Sequence, residues 1–356
     1  MTERVVIALD AMGGDRAPDI VIAGAALALK RMPNAHFLIF GDEGWISPLL
    51  DEHPSLADAV TIRHTDEQVR SEDKPSAAIK SAKNSSMRLA IDAVRDGEAS
   101  CVVSAGNTGA LMAIAKFVLK TLPGIDRPAI AAYFPTLTGE SVMLDLGANV
   151  ECKANNLAQF AVMGEVFSRT VLGVEQPSIG LLNIGVEALK GNEEVKGAAA
   201  ILRESDLPID FKGFVEGDDI TSGKVDVIVT DGFTGNVALK TAEGTLHLYS
   251  TMMKQAFGSS IVSKIGFLLA RRAINKMRAR MDPRRYNGAM LLGLNGIVVK
   301  SHGGTDEVGF ANAISVASDM VVHGFQSKIK DDFERLKAVD DSESAAEEPD
   351  RSRAVV

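Results

Sequence analysis

Only two cysteines, Cys101 and Cys152, occur in 356 residues, far apart and outside any CxxC pair. That excludes a disulfide scaffold and a thiolate zinc cluster, suits a reducing compartment, and leaves both thiols as packing residues. Basic residues are in deficit: Lys+Arg 38 against Asp+Glu 47, a formal net charge of −9. A general nucleic-acid binder needs the opposite balance. No apolar run approaches the ~18 residues of a bilayer span. The N-terminus enters a strand-like run at 5–9 without the basic start and longer apolar stretch of a signal peptide, so a cytoplasmic protein is expected.

Nucleotide and hydrolase signatures are missing as well. No GxGxxG follows a strand, and no GxxxxGK[ST], GxSxG or HExxH occurs. The nearest miss, Gly217 to Lys224, has one residue too many and continues into Val225. The six histidines lie in separate elements, so neither a metal nor a cofactor is expected. No repeat of 20–50 residues is present.

What is there is ordinary globular composition, 46% hydrophobic and 24% charged. A chain of this length buries roughly three-quarters of its unfolded surface without covalent staples. Short apolar runs alternate with segments of helical period. Strands are expected at 5–9, 36–40, 60–63, 100–104, 129–134, 141–144, 178–182, 211–215, 225–230 and 297–300. Helices are expected at 18–32, 75–95, 110–121, 155–171, 193–205, 236–257 and 307–329. The alternation predicts a three-layer α/β/α fold with a mostly parallel sheet. No linker composition interrupts residues 1–337, which read as one intertwined two-lobed unit. Residues 338–356 carry six acids and no aromatic, and read as a disordered tail.

In parallel α/β proteins, ligands collect where strand ends enter helix N-termini. Here those loops are rich in Gly, Asn and Asp: Asp10-Ala-Met-Gly13-Gly14-Asp15, Ser104-Ala-Gly106-Asn107-Thr108-Gly109, Asp145-Leu-Gly-Ala-Asn149, Asn183 to Gly191, Asp231-Gly-Phe-Thr-Gly235-Asn236 and Ser301-His302-Gly-Gly-Thr305. Glycine admits close backbone approach, and helix N-terminal amides bind anions. Such loops gathered at one edge of a sheet predict a shared cleft for an anion, most simply a phosphate. Lys190 and Lys83 are cations beside such loops. Asn107, Asn149, Asn183 and Asn236 are amide donors for phosphate or for an oxyanion. Asn107, Lys190, Asn236, Asp231 and His302 are the catalytic candidates. Asp10, Gly13, Gly14, Asp15, Ser104, Gly106, Thr108, Asp145, Asn149, Asn183, Gly235 and Lys83 are the binding candidates. Removing Asn107, Asn236 or Lys190 is expected to slow turnover while leaving melting nearly unchanged.

Residues 251–281 stand apart, with seven basic residues and no acid in a net-acidic chain. Phe257, Ile261, Ile265, Leu268, Leu269, Ala273, Met277 and Met281 fall at helical spacing. Gly258 and Gly266 favour a hairpin over one long helix. Such a segment attaches to anionic lipid or docks an acidic partner, unless it packs into a core. Ile261, Ile265, Phe267, Leu268, Leu269, Arg271, Arg272 and Lys276 are its candidate contacts.

Taken together, the loops resemble those of the bacterial phosphate acyltransferase (PlsX) family. The matching stretches are Asp10 to Asp15 with Pro18, Ser104 to Gly109, Met143 to Asn149, Leu182 to Glu187, Lys190 to Asn192, Asp231 to Asn236 and the run from Tyr286. They span about 5–328. The resemblance implies transfer of a long-chain acyl group from acyl carrier protein to inorganic phosphate, giving acyl phosphate for bacterial phospholipid synthesis. A downstream acyl phosphate:glycerol-3-phosphate acyltransferase would consume that product. It also implies a homodimer with the isopropylmalate dehydrogenase and phosphotransacetylase-like fold of two intertwined subdomains. It further implies a cytoplasmic enzyme visiting the inner face of the cytoplasmic membrane. The alternatives are a phosphotransacetylase using short-chain acyl-CoA, a dehydrogenase on the same fold, and a non-enzymatic lipid or carrier-protein binding module.

Overall fold

A computed structural model of the chain describes residues 4–205 and 209–333; the acidic segment 338–356 lies outside the described residues. Eleven strands form one sheet: β1 Val6–Asp10, β2 His36–Gly41, β3 Val60–His64, β4 Cys101–Ser104, β5 Ala129–Pro135, β6 Glu140–Leu144, β7 Ser178–Leu182, β8 Asp210–Val215, β9 Val227–Val229, β10 Ala289–Leu292 and β11 Ile297–Lys300. Their order is β3-β2-β1-β4-β11-β10-β5-β6-β9-β7-β8. The main helices are α1 Asp19–Arg31, α2 Glu43–Asp51, α3 Pro75–Ser81, α4 Ser86–Arg95, α5 Thr108–Leu119, α6 Ala154–Phe167, α7 Glu193–Glu204, α8 Gly232–Gly258, α9 Ile261–Arg280 and α10 Glu307–Val322.

All ten expected strands are present. β10 is the addition, a four-residue strand bracketed by Gly288 and Gly293 that reads as a loop in sequence. α2 is the other, its helical signal weakened by an internal Pro48. The segment expected as one helix at 75–95 divides because the Ser85 side chain accepts the Arg88 amide and starts α4 afresh. Residues 251–281 form a hairpin: α8 ends at Gly258, Ser260 caps α9, and Gly266 lies inside α9.

Register and strand direction place the loops. Leu9, Val103, Val299, Met290, Ala131, Leu144 and Val229 lie in one row straight across the sheet. The antiparallel pairings β11–β10, β10–β5 and β5–β6 reverse the direction between two parallel blocks. Asp10, Ser104 and Lys300 therefore leave the row on one side, while Asp145 and Thr230 leave it on the other. The glycine loops do not share one sheet edge, as strand–helix alternation alone suggested. They depart in opposite directions from a common line, separated along the strands by about two residues, roughly 7 Å.

Side-chain alternation restores a common surface. Asp10, Ser104 and Lys300 share a face with Ala8, Val102 and Val298, which pack with Leu291, Met87 and Ile91 of α4, and Leu111 and Ile114 of α5. The same face continues through Ile130, Ala132, Met143 and Ile228, where Ala238, Leu239 and Ala242 of α8 pack. Met112 of α5 touches both clusters, so α5 and α8 lie side by side over this face. The other face buries Val21 and Ile22 of α1, Phe160 and Met163 of α6, and Phe310 and Ile314 of α10. Each such aliphatic or aromatic side chain contributes about 1.5–3 kcal/mol by leaving water.

Candidate active site

The first block gathers three loops around two buried ionisable side chains, Asp10 and Lys300. Asp10, 1% exposed, accepts hydrogen bonds from Ser86 Oγ and Ser104 Oγ, each at 2.6 Å. Burial pushes its carboxyl above the ordinary range, against the pull of those hydroxyls, the Met12 amide and Lys300. Lys300, also buried, donates from Nζ to the carbonyls of Ala105 (3.2 Å) and Ser301. Burial brings its ammonium down to about 8, opposed by Asp10 and Asp15. Asp15 N donates to Gly303 O (3.0 Å), and the Asn287 amide bridges Ser301 Oγ and Gly309 O. A Cβ on Gly13 would lie 2.5 Å from the Asp10 carboxylate, so glycine alone fits there.

The second block is built around Asp145, which is fully buried and pushed upward by burial. It accepts from the amides of Ile130, Ala148 and Asn149 and from the Asn149 side chain. The α8 N-terminus packs onto this knot so closely that a Cβ on Gly235 would overlap the Asp145 carbonyl.

These contacts sort the sequence candidates. The Asn107 amide donates to the carbonyls of Arg70, Ser71 and Asp73, and its Oδ1 caps α5 through Ala110 N. Asn149 Nδ2 holds Pro128 O and Asp145, and Asn183 Nδ2 ties Gly185 O to Lys190 O. Asp231 caps α8 and accepts the Thr234 hydroxyl (2.7 Å). These four side chains all hold neighbouring groups in place, and Asn107 in particular ties the 70–73 loop to the start of α5. Asn236, Lys190, Lys83 and Thr108 are exposed and make no side-chain hydrogen bond to another described residue. Asn236 lies over Gly147. The Asp15 carboxylate sits beside Gly303 and Gly304, where its charge opposes an anion and suits a hydrogen-bond donor. Thr108 and Gly109 open α5, where first-turn backbone amides have no intrahelical partner.

Lys300, Ser86, Ser301 and Asn287 are not among the sequence candidates, although Ser301 and Asn287 stand in stretches singled out above. The available signal was that Lys300 ends a strand directly ahead of the Ser301 to Thr305 loop; a lysine in that position ordinarily reads as solvated.

The hairpin joins the two sides. α8 starts on the Asp145 side and crosses the face, and α9 ends where Arg280 donates to the carbonyls of Thr136 (3.0 Å) and Leu137 (2.7 Å). That β5–β6 turn lies on the side to which β1, β4 and β11 point. Across 27 and 20 residues, the buried positions are Gly232 and Gly235 in α8 and Ile274 in α9. Phe257 and Phe267 pack tilted against each other within the hairpin, centroids 5.3 Å apart, with Arg278 over the Phe267 ring. Ile261, Ile265, Leu268 (66%) and Leu269 (83%) are exposed, as are Arg271, Arg272 and Lys276. No group of three or more possible metal-ligating side chains occurs among the described residues.

A family model described as "Fatty acid synthesis protein" matches residues 5–328. The phosphate acyltransferase of Rhodospirillum centenum is 64% identical over 354 residues, 99% of each chain. That of Paramagnetospirillum magneticum is 61% identical over 344 residues, 97% of this chain and 98% of its own. Among solved structures, a phosphotransacetylase from Streptococcus pyogenes superposes with a TM-score of 0.60 at 18% identity, covering 90% of this chain and 94% of its own. The EutD phosphotransacetylase from Staphylococcus aureus gives 0.56 at 18% identity, covering 89% and 95%. Those two likenesses establish the α/β fold. Near-full-length identity above 60% settles the rest: the chain belongs to the bacterial phosphate acyltransferase (PlsX) family and is an enzyme that transfers an acyl group to phosphate.

Proposed function

We propose that the acyl donor is a long-chain thioester of acyl carrier protein, and that the acyl phosphate formed feeds phospholipid synthesis through a glycerol-3-phosphate acyltransferase. A hydrogen phosphate oxygen attacks the thioester carbonyl carbon, a C–O bond forms, and the C–S bond breaks. The carrier sulfur leaves with the proton that the phosphate brought. In this reading phosphate rests at the α5 N-terminus, away from the Asp15 carboxylate, and Lys83, Asn236 and Lys190 are the exposed side chains offered to phosphate and donor. This chemistry needs positioning and charge stabilisation rather than a covalent protein nucleophile.

The observation that carries the donor assignment is the exposed hairpin. Its unopposed basic residues complement an acidic carrier protein and anionic lipid, and its bare leucines suit a long acyl chain or membrane surface. In this reading the enzyme works in the cytoplasm as a homodimer, touching the inner face of the membrane transiently. The test incubates it with a palmitoyl carrier-protein thioester or acetyl-CoA, with and without phosphate and chelator, reading free thiol and hydroxylamine-trapped acyl group. Phosphate-dependent, chelator-insensitive release from the carrier protein is expected. Preference for acetyl-CoA would replace this reading with a short-chain phosphotransacetylase, and release without phosphate would remove it.

A further inference from the structure

His302 is held in a way that fixes where its ring proton sits. The Ser301 amide donates to Ser104 O (2.9 Å), the His302 amide to Asn287 Oδ1 (2.9 Å), and the Thr305 amide to His302 O (3.2 Å). Asn287 is buried and anchored on Ser301 and Gly309, so the backbone around the histidine is braced on both sides. The ring itself is exposed, and its loop lies against the Gly14–Asp15 turn, with Asp15 N on Gly303 O (3.0 Å) and the Asp15 carboxylate beside Gly304. Its Nδ1 lies 3.1 Å from the Gly304 amide nitrogen. A backbone amide can only donate, so Nδ1 accepts, and the neutral ring carries its proton on Nε2. Charged groups around this loop are Asp15 beside Gly303 and Gly304, the buried Lys300 and Asp10 beneath, and the Arg284–Asp306 pair at the start of α10.

We propose that His302 acts as a neutral imidazole whose Nε2–H donates a hydrogen bond to the oxygen of the attacked thioester carbonyl, and does not supply the proton that leaves with sulfur. Protonating Nδ1 would set two donors, the ring and the Gly304 amide, against each other. A fixed neutral donor stabilises the developing oxyanion without reorganising, as neutral histidines do at other carbonyl centres. The proton balance is already complete, because hydrogen phosphate brings the one that sulfur takes. The inference rests on the thioester reading above. If wild type proves inactive on carrier-protein thioester, that reading falls, and the same measurements then run on whichever acyl-CoA it accepts.

Two measurements decide it. In ¹⁵N-histidine spectra of the full chain, His302 is expected to show a pyridine-type Nδ1 and a pyrrole-type Nε2 near neutral pH; the reverse tautomer, or an imidazolium, overturns the proposal. In kinetics, His302→Ala is expected to lower kcat by ~10²-fold, the usual cost of one oxyanion donor. Phosphate KM should stay within about threefold and His302→Gln, which retains an N–H donor, should recover about tenfold or more. Wild type and the Gln variant should give pH profiles of the same shape. A Gln variant as slow as Ala, with a profile that has lost the wild-type alkaline limb, would instead identify a proton donor. Because the ring is exposed, both variants should melt with wild type; should Ala unfold, the Gln kinetics and the spectra still decide.

Discussion

At the scale of single residues, asparagines that look alike in sequence divide by what their amides already hold. Asn107 uses donor and acceptor groups to pin the 70–73 loop and cap α5, whereas Asn236 is exposed without a side-chain partner among the described residues. Asn107→Ala should therefore cost about 1–3 kcal/mol of stability through a lost cap and three released carbonyls. Asn236→Ala should leave thermal unfolding within about 0.5 kcal/mol of wild type, as for an ordinary surface change, while lowering turnover about tenfold or more. Thermal denaturation beside steady-state assay separates the two; an Asn107 variant that melts normally would contradict the positioning role. Sequence marks every one of these residues as loop material near a helix start. It gives no sign of which amide is occupied, because the partners at 70–73 and 128 are brought near by folding alone.

At the scale of elements, the hairpin was legible in advance and its exposure was not. Periodicity, glycine placement and the absence of acid over 251–281 suffice to propose two basic apolar helices. Whether Leu268 and Leu269 face a core depends on what lies against them, and the structure leaves both exposed. Replacing Arg271, Arg272 and Lys276 with Glu should abolish sedimentation with anionic vesicles, since each basic residue contributes ~1 kcal/mol of attraction and each replacement makes it repulsive. Leu268→Glu should also release the protein, and at 66% exposure it should barely move the melting curve. Wild type that ignores anionic vesicles at low salt would rule out the membrane role. An unfolded Leu268→Glu variant would mean that the leucine is covered in solution.

At the scale of the whole molecule, stability should carry the signature of the buried lysine. The folded chain releases the Lys300 proton near pH 8, whereas the unfolded chain holds it to an ordinary 10.5. Between those values the unfolded state binds more protons, so stability rises with pH across the window. Relative to Lys300→Met, wild type should gain up to about 3 kcal/mol between pH 7.5 and 10 in urea unfolding. A flat or falling difference would mean that the ammonium is solvated. What the sequence determined by itself is local: ten of the eleven strands, the glycine loops and the family, all written in short-range periodicity and contiguous motifs. The direction in which each loop leaves the sheet was decided by tertiary structure, because the reversal at β10, β5 and β6 is made by hydrogen bonds between strands remote in sequence. The burial of Lys300 was decided there too. Its Ala105 carbonyl partner, 195 residues away in sequence, stands beside it because β11 pairs with β4.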